Sequence, residues 1–185
     1  MDHITKIYPN GFVANKDVTF AVNEGEIHSL VGENGAGKTT LMKILFGMED
    51  KQGGDIFIRE QKVKITSPLD AISKGVGMVH QHFMLLNSLT VAENVVLGIE
   101  PMKNGLFDFE EAVVMTQKIA DKYNFALDAR TRVKDLSVGQ MQKVEILKAL
   151  IKGARVLILD EPTAVLTPQE TEELFEQLLL LRGDG

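Results

Sequence analysis

The chain has no cysteine in its 185 residues, so it holds no disulfide framework, which is compatible with a reducing compartment. It also lacks any excess of positive charge. Twenty Lys and Arg against 26 Asp and Glu leave a net charge of −6. That balance offers no overall electrostatic footprint for a polyanion, and no nucleic-acid partner is expected. Long apolar runs are missing too. The longest leucine run, Leu178 to Leu181, is far shorter than the ~18 residues that suggest a membrane span. Met1 to Lys6 shows no basic start followed by an apolar stretch, so no signal peptide is read. Internal repeats and low-complexity segments are absent. The length suits one domain with a real core, and any membrane connection is expected to run through a partner.

What is present is chemically specific. Gly32-Glu33-Asn34-Gly35-Ala36-Gly37-Lys38-Thr39 satisfies G-x-x-x-x-G-K-[ST] at every position. Only glycines let a backbone wrap closely enough to offer many amides to phosphate oxygens. Amides from Glu33 to Thr39 are expected to form the cradle at the positive end of a following helix. Lys38 is placed to reach the β- and γ-phosphates, and the Thr39 hydroxyl to hold Mg²⁺. Far downstream, Val156-Leu157-Ile158-Leu159 is an apolar strand ending in Asp160-Glu161. Such a strand lifts both acids to the carboxyl edge of a parallel sheet, where ligands bind. Asp160 is expected to hold Mg²⁺ through water, and Glu161 to polarise an attacking water. Taken alone, the two acids could equally be helix-capping residues after a strand.

Local signals outline the rest. Val18 to Val22 alternates like a half-buried strand, and Ile27 to Val31 reads as a strand entering the glycine loop. Thr39 to Phe46 reads as a helix closed by Gly47. Gly54 to Ile58 and Val63 to Ile65 suggest a strand pair with a turn near Glu60-Gln61, and Val76 to Val79 a short buried strand. Thr90 with Glu93, Asp108 with Glu111, Ser137 with Gln140 and Thr167 with Glu170 mark four helix starts. In the second of these helices Val113, Val114, Ile119 and Ala120 form the expected apolar face. The layout predicts an α/β core over 1–82 and 153–185, with a helical insert over about 83–152.

Ser137 opens a helix whose amide-rich start is a second anion site or an ordinary helix beginning. One triphosphate already has its place at Gly32, so a second such end suggests the nucleotide of another copy. His28 is expected in a buried strand as a core histidine. His80 and His82 flank Gln81 but make a poor metal site without a third ligand. Phe83 to Leu86 reads either as a docking patch or as insert packing.

Leu136-Ser137-Val138-Gly139-Gln140 resembles the LSGGQ signature of ABC-transporter ATPases, with Val138 in place of the usual first glycine. Gln81, after Gly77-Met78-Val79-His80, resembles their Q-loop glutamine. Thr163-Ala164-Val165-Leu166-Thr167, after Asp160-Glu161-Pro162, resembles their D-loop region. Val79 to Leu85 and Asp160 to Thr167 resemble most the ATPases of simple-sugar and nucleoside importers, the nucleoside type more closely. The resemblance implies a P-loop NTPase fold: a mixed or parallel sheet, an antiparallel β part near the N-terminus, and a helical insert. It implies ATP and Mg²⁺ as cofactors and two copies or halves facing head to tail. It also implies integral membrane permease partners, at the cytoplasmic side of the cell membrane.

The same resemblance implies the site. Tyr8, Gly32, Glu33, Asn34, Gly35, Ala36, Gly37, Lys38, Thr39 and Thr40 would contact the nucleotide in one copy. Ser137, Gly139 and Gln140 would contact it from the other. Thr39, Gln81 and Asp160 would serve the metal, and Glu161, Lys38 and Gln81 the hydrolysis. Tyr8 fits an adenine-stacking aromatic, with Phe12 second; plain packing is the alternative for both rings. Family members carry a switch histidine on a further strand, and all four histidines here precede Asp160. The chain is therefore expected to be the first ATPase half of a longer protein, ending at the turn Gly183-Asp184-Gly185, with weak or no turnover alone. A non-transport ABC ATPase, or a nucleotide-binding fragment without catalysis, is the alternative function.

Overall fold

A computed structural model describes residues 1–184. The chain forms two compact units, Met1–Gly77 and Met78–Gly185. In the first, β1 (Asp2–Ile7), β2 (Val13–Val18), β3 (Gly53–Ile58) and β4 (Gln61–Val63) form a sheet in the order β2-β1-β3-β4. Its pairs are antiparallel. The turn between β3 and β4 falls at Arg59–Glu60, both with positive φ, one residue earlier than the spacing suggested. Helix α1 (Lys38–Leu45) contributes Leu41 and Ile44 to a core shared with Ile4 and Ile56. The chain reverses at Phe46–Gly47, where Gly47 takes φ +76. A short helix, α2 (Pro68–Ser73), follows with Ser67 as its cap.

Strand β1 is a feature the pattern hides. Its inward position Lys6 carries a charge, yet Lys6 is buried and paired with Glu49 at 2.9 Å. The reverse holds for two expected strands. The second strand lies at Val13–Val18, so Val18 to Val22 is not a strand of its own. Ile27 to Val31 is not a strand either, and no sheet among the described residues includes it. Its apolar side chains stand in solvent, Val31 at 88% exposure. An apolar run becomes a buried strand only when neighbours cover its edges and faces, and here none does. His28 is consequently exposed, with Nδ1 3.3 Å from Glu26 and its ring edge-on to Phe20.

Strand β5 (Val76–Val79) enters the second unit at Met78 and pairs with β8 (Val156–Leu159), and the Asp160 amide donates to the Val79 carbonyl at 3.1 Å. The four residues of β5 are buried, as a run of that composition demands. Helices α3 (Val91–Val96), α4 (Phe109–Lys122), α5 (Val138–Ile151) and α6 (Pro168–Gly183) start where the caps indicated. Within α4 the buried stripe is Ala112, Thr116 and Ala120, whereas Val114 faces solvent. Phe125, Val144, Ile146, Leu147 and Leu174 centre the core of this unit. Each such side chain contributes roughly 1.5–3 kcal/mol by leaving water. A hairpin, β6 (Met102–Lys103) and β7 (Leu106–Phe107), interrupts the helical stretch. Its turn, Asn104-Gly105, has positive φ at both residues, the conformation a two-residue hairpin requires. The final helix is capped by Asp184; Gly185 lies outside the described residues. The architecture is thus mixed α/β, with an antiparallel N-terminal sheet and parallel strands, as the P-loop resemblance implied.

Candidate nucleotide site

In the first unit the loop Gly32–Ala36 is exposed and runs through the half-buried Gly37 into α1. The cap of that helix is Gly37, in left-handed conformation at φ +87, with no side-chain hydrogen bond to the first turn. Helices α2 to α6 each receive a cap from Ser67, Thr90, Asp108, Ser137 or Thr167. A helix start without such a side chain leaves its positive end for an external anion. Gly37 has no room for a side chain, because an added Cβ would meet the Ala14 carbonyl and lie 2.8 Å from Asn15 Nδ2. Asn15 is buried on β2 and donates to the Gly37 carbonyl at 3.3 Å, which fixes the loop's end against the sheet. Sequence reasoning missed it, because a lone asparagine in a strand carries no pattern.

Lys38 folds back over this loop. Its ammonium donates to the carbonyls of Gly32 at 2.6 Å and Glu33 at 2.9 Å. The charge is therefore held above the turn where phosphate oxygens would sit. The Tyr8 hydroxyl lies 3.3 Å from Thr40 Oγ1 in the first turn of α1. The expected residues Tyr8, Gly32 to Thr39 and Thr40 thus share one neighbourhood. Phe12 joins them, its ring stacked against Tyr8.

The second unit holds the remaining residues in two clusters. At the end of β8, Glu161 adopts φ +51, a backbone region that disfavours side chains. Strain of this kind collects at functional turns. Gln81 Nε2 donates to Glu161 Oε2 at 3.0 Å, which joins the glutamine and the acid named from sequence. Asp160 precedes Glu161 in sequence, its amide fixed to the Val79 carbonyl of β5. A groove of about 420 Å³ opens next to Gln81, lined by Phe83, Leu85, Met141 and Val165 among others. Leu85 packs against the core, whereas Met84 and Leu86 are exposed. Their backbone is held by Glu145, Lys148 and Asn94. Phe83 to Leu86 is thus partly packing and partly surface.

The other cluster surrounds Ser137. Ser137 and Gln140 close a reciprocal capping box at the start of α5. The Gly139 amide donates to Glu170 at 3.2 Å, and Ser137 Oγ lies 3.4 Å from the same oxygen. The Thr167 amide and hydroxyl, with these groups, hold the Glu170 carboxyl below its usual range. Glu170 had been legible only as the cap of its own helix. A Cβ at position 139 would lie 2.5 Å from that carboxylate oxygen, so a side chain there would displace Glu170 from the Gly139 amide.

The donor set suits Mg²⁺. That ion takes one or two carboxylates with hydroxyl, water and phosphate oxygens rather than an all-protein cage. Among the described residues no group of three or more His, Cys, Asp or Glu side chains forms such a cage. Of the residues named from sequence, Thr39 offers a hydroxyl oxygen in the first unit, and Gln81 and Asp160 offer an amide and a carboxylate oxygen in the second, each a donor type that ion accepts.

Comparison with known proteins follows the same lines. The family profile described as ABC transporter matches residues 15–164. The guanosine import ATP-binding protein NupO of Bacillus subtilis is 49% identical over the whole chain. The nucleoside import ATP-binding protein NupA of Lactococcus lactis is 44% identical, and the ribose import ATP-binding protein RbsA of Yersinia pestis 43%. The chain spans 36% of the length of each. Among solved structures, the ADP conformation of MJ1267, an ATP-binding cassette of an ABC transporter, superposes with a TM-score of 0.86 at 26% identity. It covers the whole of this chain and 76% of that one. A dimeric post-hydrolysis state of the cassette MJ0796, bound to ADP and Pi, gives 0.80 at 27% identity. There the match covers 99% of this chain and 82% of the other.

Proposed function

Because the chain belongs to the ABC transporter family, we propose that it is the ATP-binding part of an importer for nucleosides or simple sugars, coupling ATP hydrolysis to uptake. The observation that carries this reading is the Gly32–Thr39 turn: an uncapped helix start in left-handed conformation with the Lys38 ammonium above it. The names of the relatives support the importer class, and NupO and NupA favour nucleosides.

In this reading one nucleotide-binding domain has its core over 1–82 and 153–185 and its helical part over 83–152. Amides from Glu33 to Thr39 bind the triphosphate. Lys38 neutralises charge on the β- and γ-phosphates, and Tyr8 stacks on the base. Thr39, Asp160 and Gln81 would hold Mg²⁺, which would screen the charge that develops on the transferred phosphate. Glu161 takes the proton of the attacking water, and Gln81 holds that carboxylate in place. Ser137, Gly139 and Gln140 meet the nucleotide of a second copy or half, head to tail. Hydrolysis by this chain alone would be weak or absent.

Membrane permease subunits are the proposed partners, met at the groove beside Gln81. No helix among the described residues is long and apolar enough to cross a membrane. The protein would thus work at the cytoplasmic face of the cell membrane through those subunits. Calorimetry with ATP and magnesium tests the core of this reading. Binding that Lys38→Ala abolishes, without loss of the fold, supports it; no heat of association with a folded sample ends it.

A further inference from the structure

Asn15 is a polar side chain in a buried place. It is only 5% exposed on β2, beside the end of the glycine loop. Its Nδ2 donates to the Gly37 carbonyl at 3.3 Å, while its Oδ1 is buried with no hydrogen-bond partner among the described residues. Lys6, its register partner on β1, directs its ammonium to Glu49 at 2.9 Å. From the same strand as Asn15, the Ala14 carbonyl fills the space that a side chain at Gly37 would need.

A stranded buried acceptor costs stability, and an apolar side chain of similar size would not carry that cost. Nor does the fold depend on the bond that Asn15 makes. The Gly37 carbonyl already accepts the Leu41 amide at 2.9 Å, the first hydrogen bond of α1. Asn15 thus adds a second donor to a satisfied carbonyl and leaves its own acceptor unmet. Folding alone does not favour that arrangement.

We infer that Asn15 is a positioning residue that aims the Lys38 amide at the bound phosphates. The peptide between Gly37 and Lys38 is planar and trans, so its N–H points opposite to its C=O. Asn15 on β2 and Leu41 within α1 both hold that carbonyl. The Lys38 N–H is therefore turned away from both, back toward the glycine loop. The plane needs such a hold, because Gly37 has no side chain to restrict its backbone and no side-chain cap ties it to the helix. A donor on the carbonyl also polarises the peptide, which strengthens its N–H toward an anion. Asn15 acts through this backbone and does not itself touch the nucleotide. The inference rests on the phosphate-loop reading proposed above.

Asn15→Leu tests it, by thermal melts and by calorimetry on the chain with magnesium and ATP or inorganic tripolyphosphate. The variant should melt at or above wild type, because the stranded acceptor is gone. It should nonetheless bind ATP and tripolyphosphate about fivefold more weakly, both by the same factor, as the weakening of one hydrogen bond implies. In proton–nitrogen NMR spectra tripolyphosphate should move the wild-type Lys38 amide downfield, and that movement should shrink in the variant. Unchanged affinity, or a loss confined to ATP, overturns the inference and leaves the phosphate loop standing. Melting and affinity that fall together mark a merely structural asparagine and overturn it too. If Asn15→Leu does not fold, Asn15→Ala takes its place. Equal losses for both ligands with a smaller Lys38 movement then support the role, and wild-type values end it. A wild-type chain that binds neither ATP nor tripolyphosphate ends the phosphate-loop reading, and the role of Asn15 with it.

Discussion

The Gly139 amide donates to the Glu170 carboxylate across 3.2 Å, so one acid serves the first turns of both α5 and α6. Its other oxygen accepts from the Thr167 amide at 3.0 Å and hydroxyl at 3.1 Å. The segment proposed to meet a second nucleotide is thereby braced against the helix that follows the Asp160-Glu161 turn.

Replacing Gly139 by Ala should expel Glu170. The new Cβ would lie 2.5 Å from Oε1 and 2.7 Å from Cδ, so the carboxylate must shift off the Gly139 amide. A melting temperature lowered by a few degrees is expected. In Gly139→Ala/Glu170→Ala the two losses should overlap and not add, because both remove one interaction. Strict additivity in thermal melts would separate the two residues.

Acid should remove the same brace. The Thr167 amide, then the Thr167 hydroxyl, Gly139 amide and Ser137 hydroxyl, favour the charged form of Glu170 and depress its folded pKa. A depressed carboxyl contributes stability above its unfolded value and loses it as pH falls toward the folded one. Glu170→Gln should therefore melt below wild type at pH 7. The gap should close as pH drops beneath the ordinary glutamate value of about 4.3. A gap that persists at pH 3 would assign the stabilisation to shape and not to charge.

Two glycines of the phosphate loop should respond unequally to alanine. Gly35 and Gly37 both have left-handed φ, which costs a side chain about 1–2 kcal/mol. A Cβ at Gly35 meets nothing within 4 Å, whereas one at Gly37 meets the Ala14 carbonyl and Asn15. Chemical denaturation should show the Gly37 variant as clearly the less stable. ATP titrations should show it as the weaker binder.

Glu161→Gln should leave ATP binding near normal and lower phosphate release by about 10²–10⁴-fold in the full-length protein. The amide keeps an oxygen for the Gln81 donor, so the turn survives while the proton acceptor is lost. Near-normal turnover in that variant would remove Glu161 from the proposed role.

The starts of α3 to α6 could be read from the chain because each closes within a few residues. Thr90, Asp108, Ser137 and Thr167 each accept from the backbone three positions on, and nothing distant is required. The phosphate loop was legible for a similar reason: its glycines state the backbone it must adopt. Lys6 was not legible, since its burial depends on Glu49 arriving from beyond α1. Nor was the second bond of Glu170, made to a residue 31 positions earlier.

Ile27 to Val31 marks the border between the two kinds of knowledge. Alternation and apolarity are properties of a segment, and sequence alone determined them, along with the caps, the glycine turn and the order of motifs. A strand is a relation between segments. Whether 27–31 pairs, whether Lys6 is buried, which acid holds Gly139 and that Tyr8 meets Phe12 were decided only in three dimensions. The physical reason is that hydrogen-bond partners and burial come from residues far apart in the chain, whereas backbone preference and capping are settled within one turn.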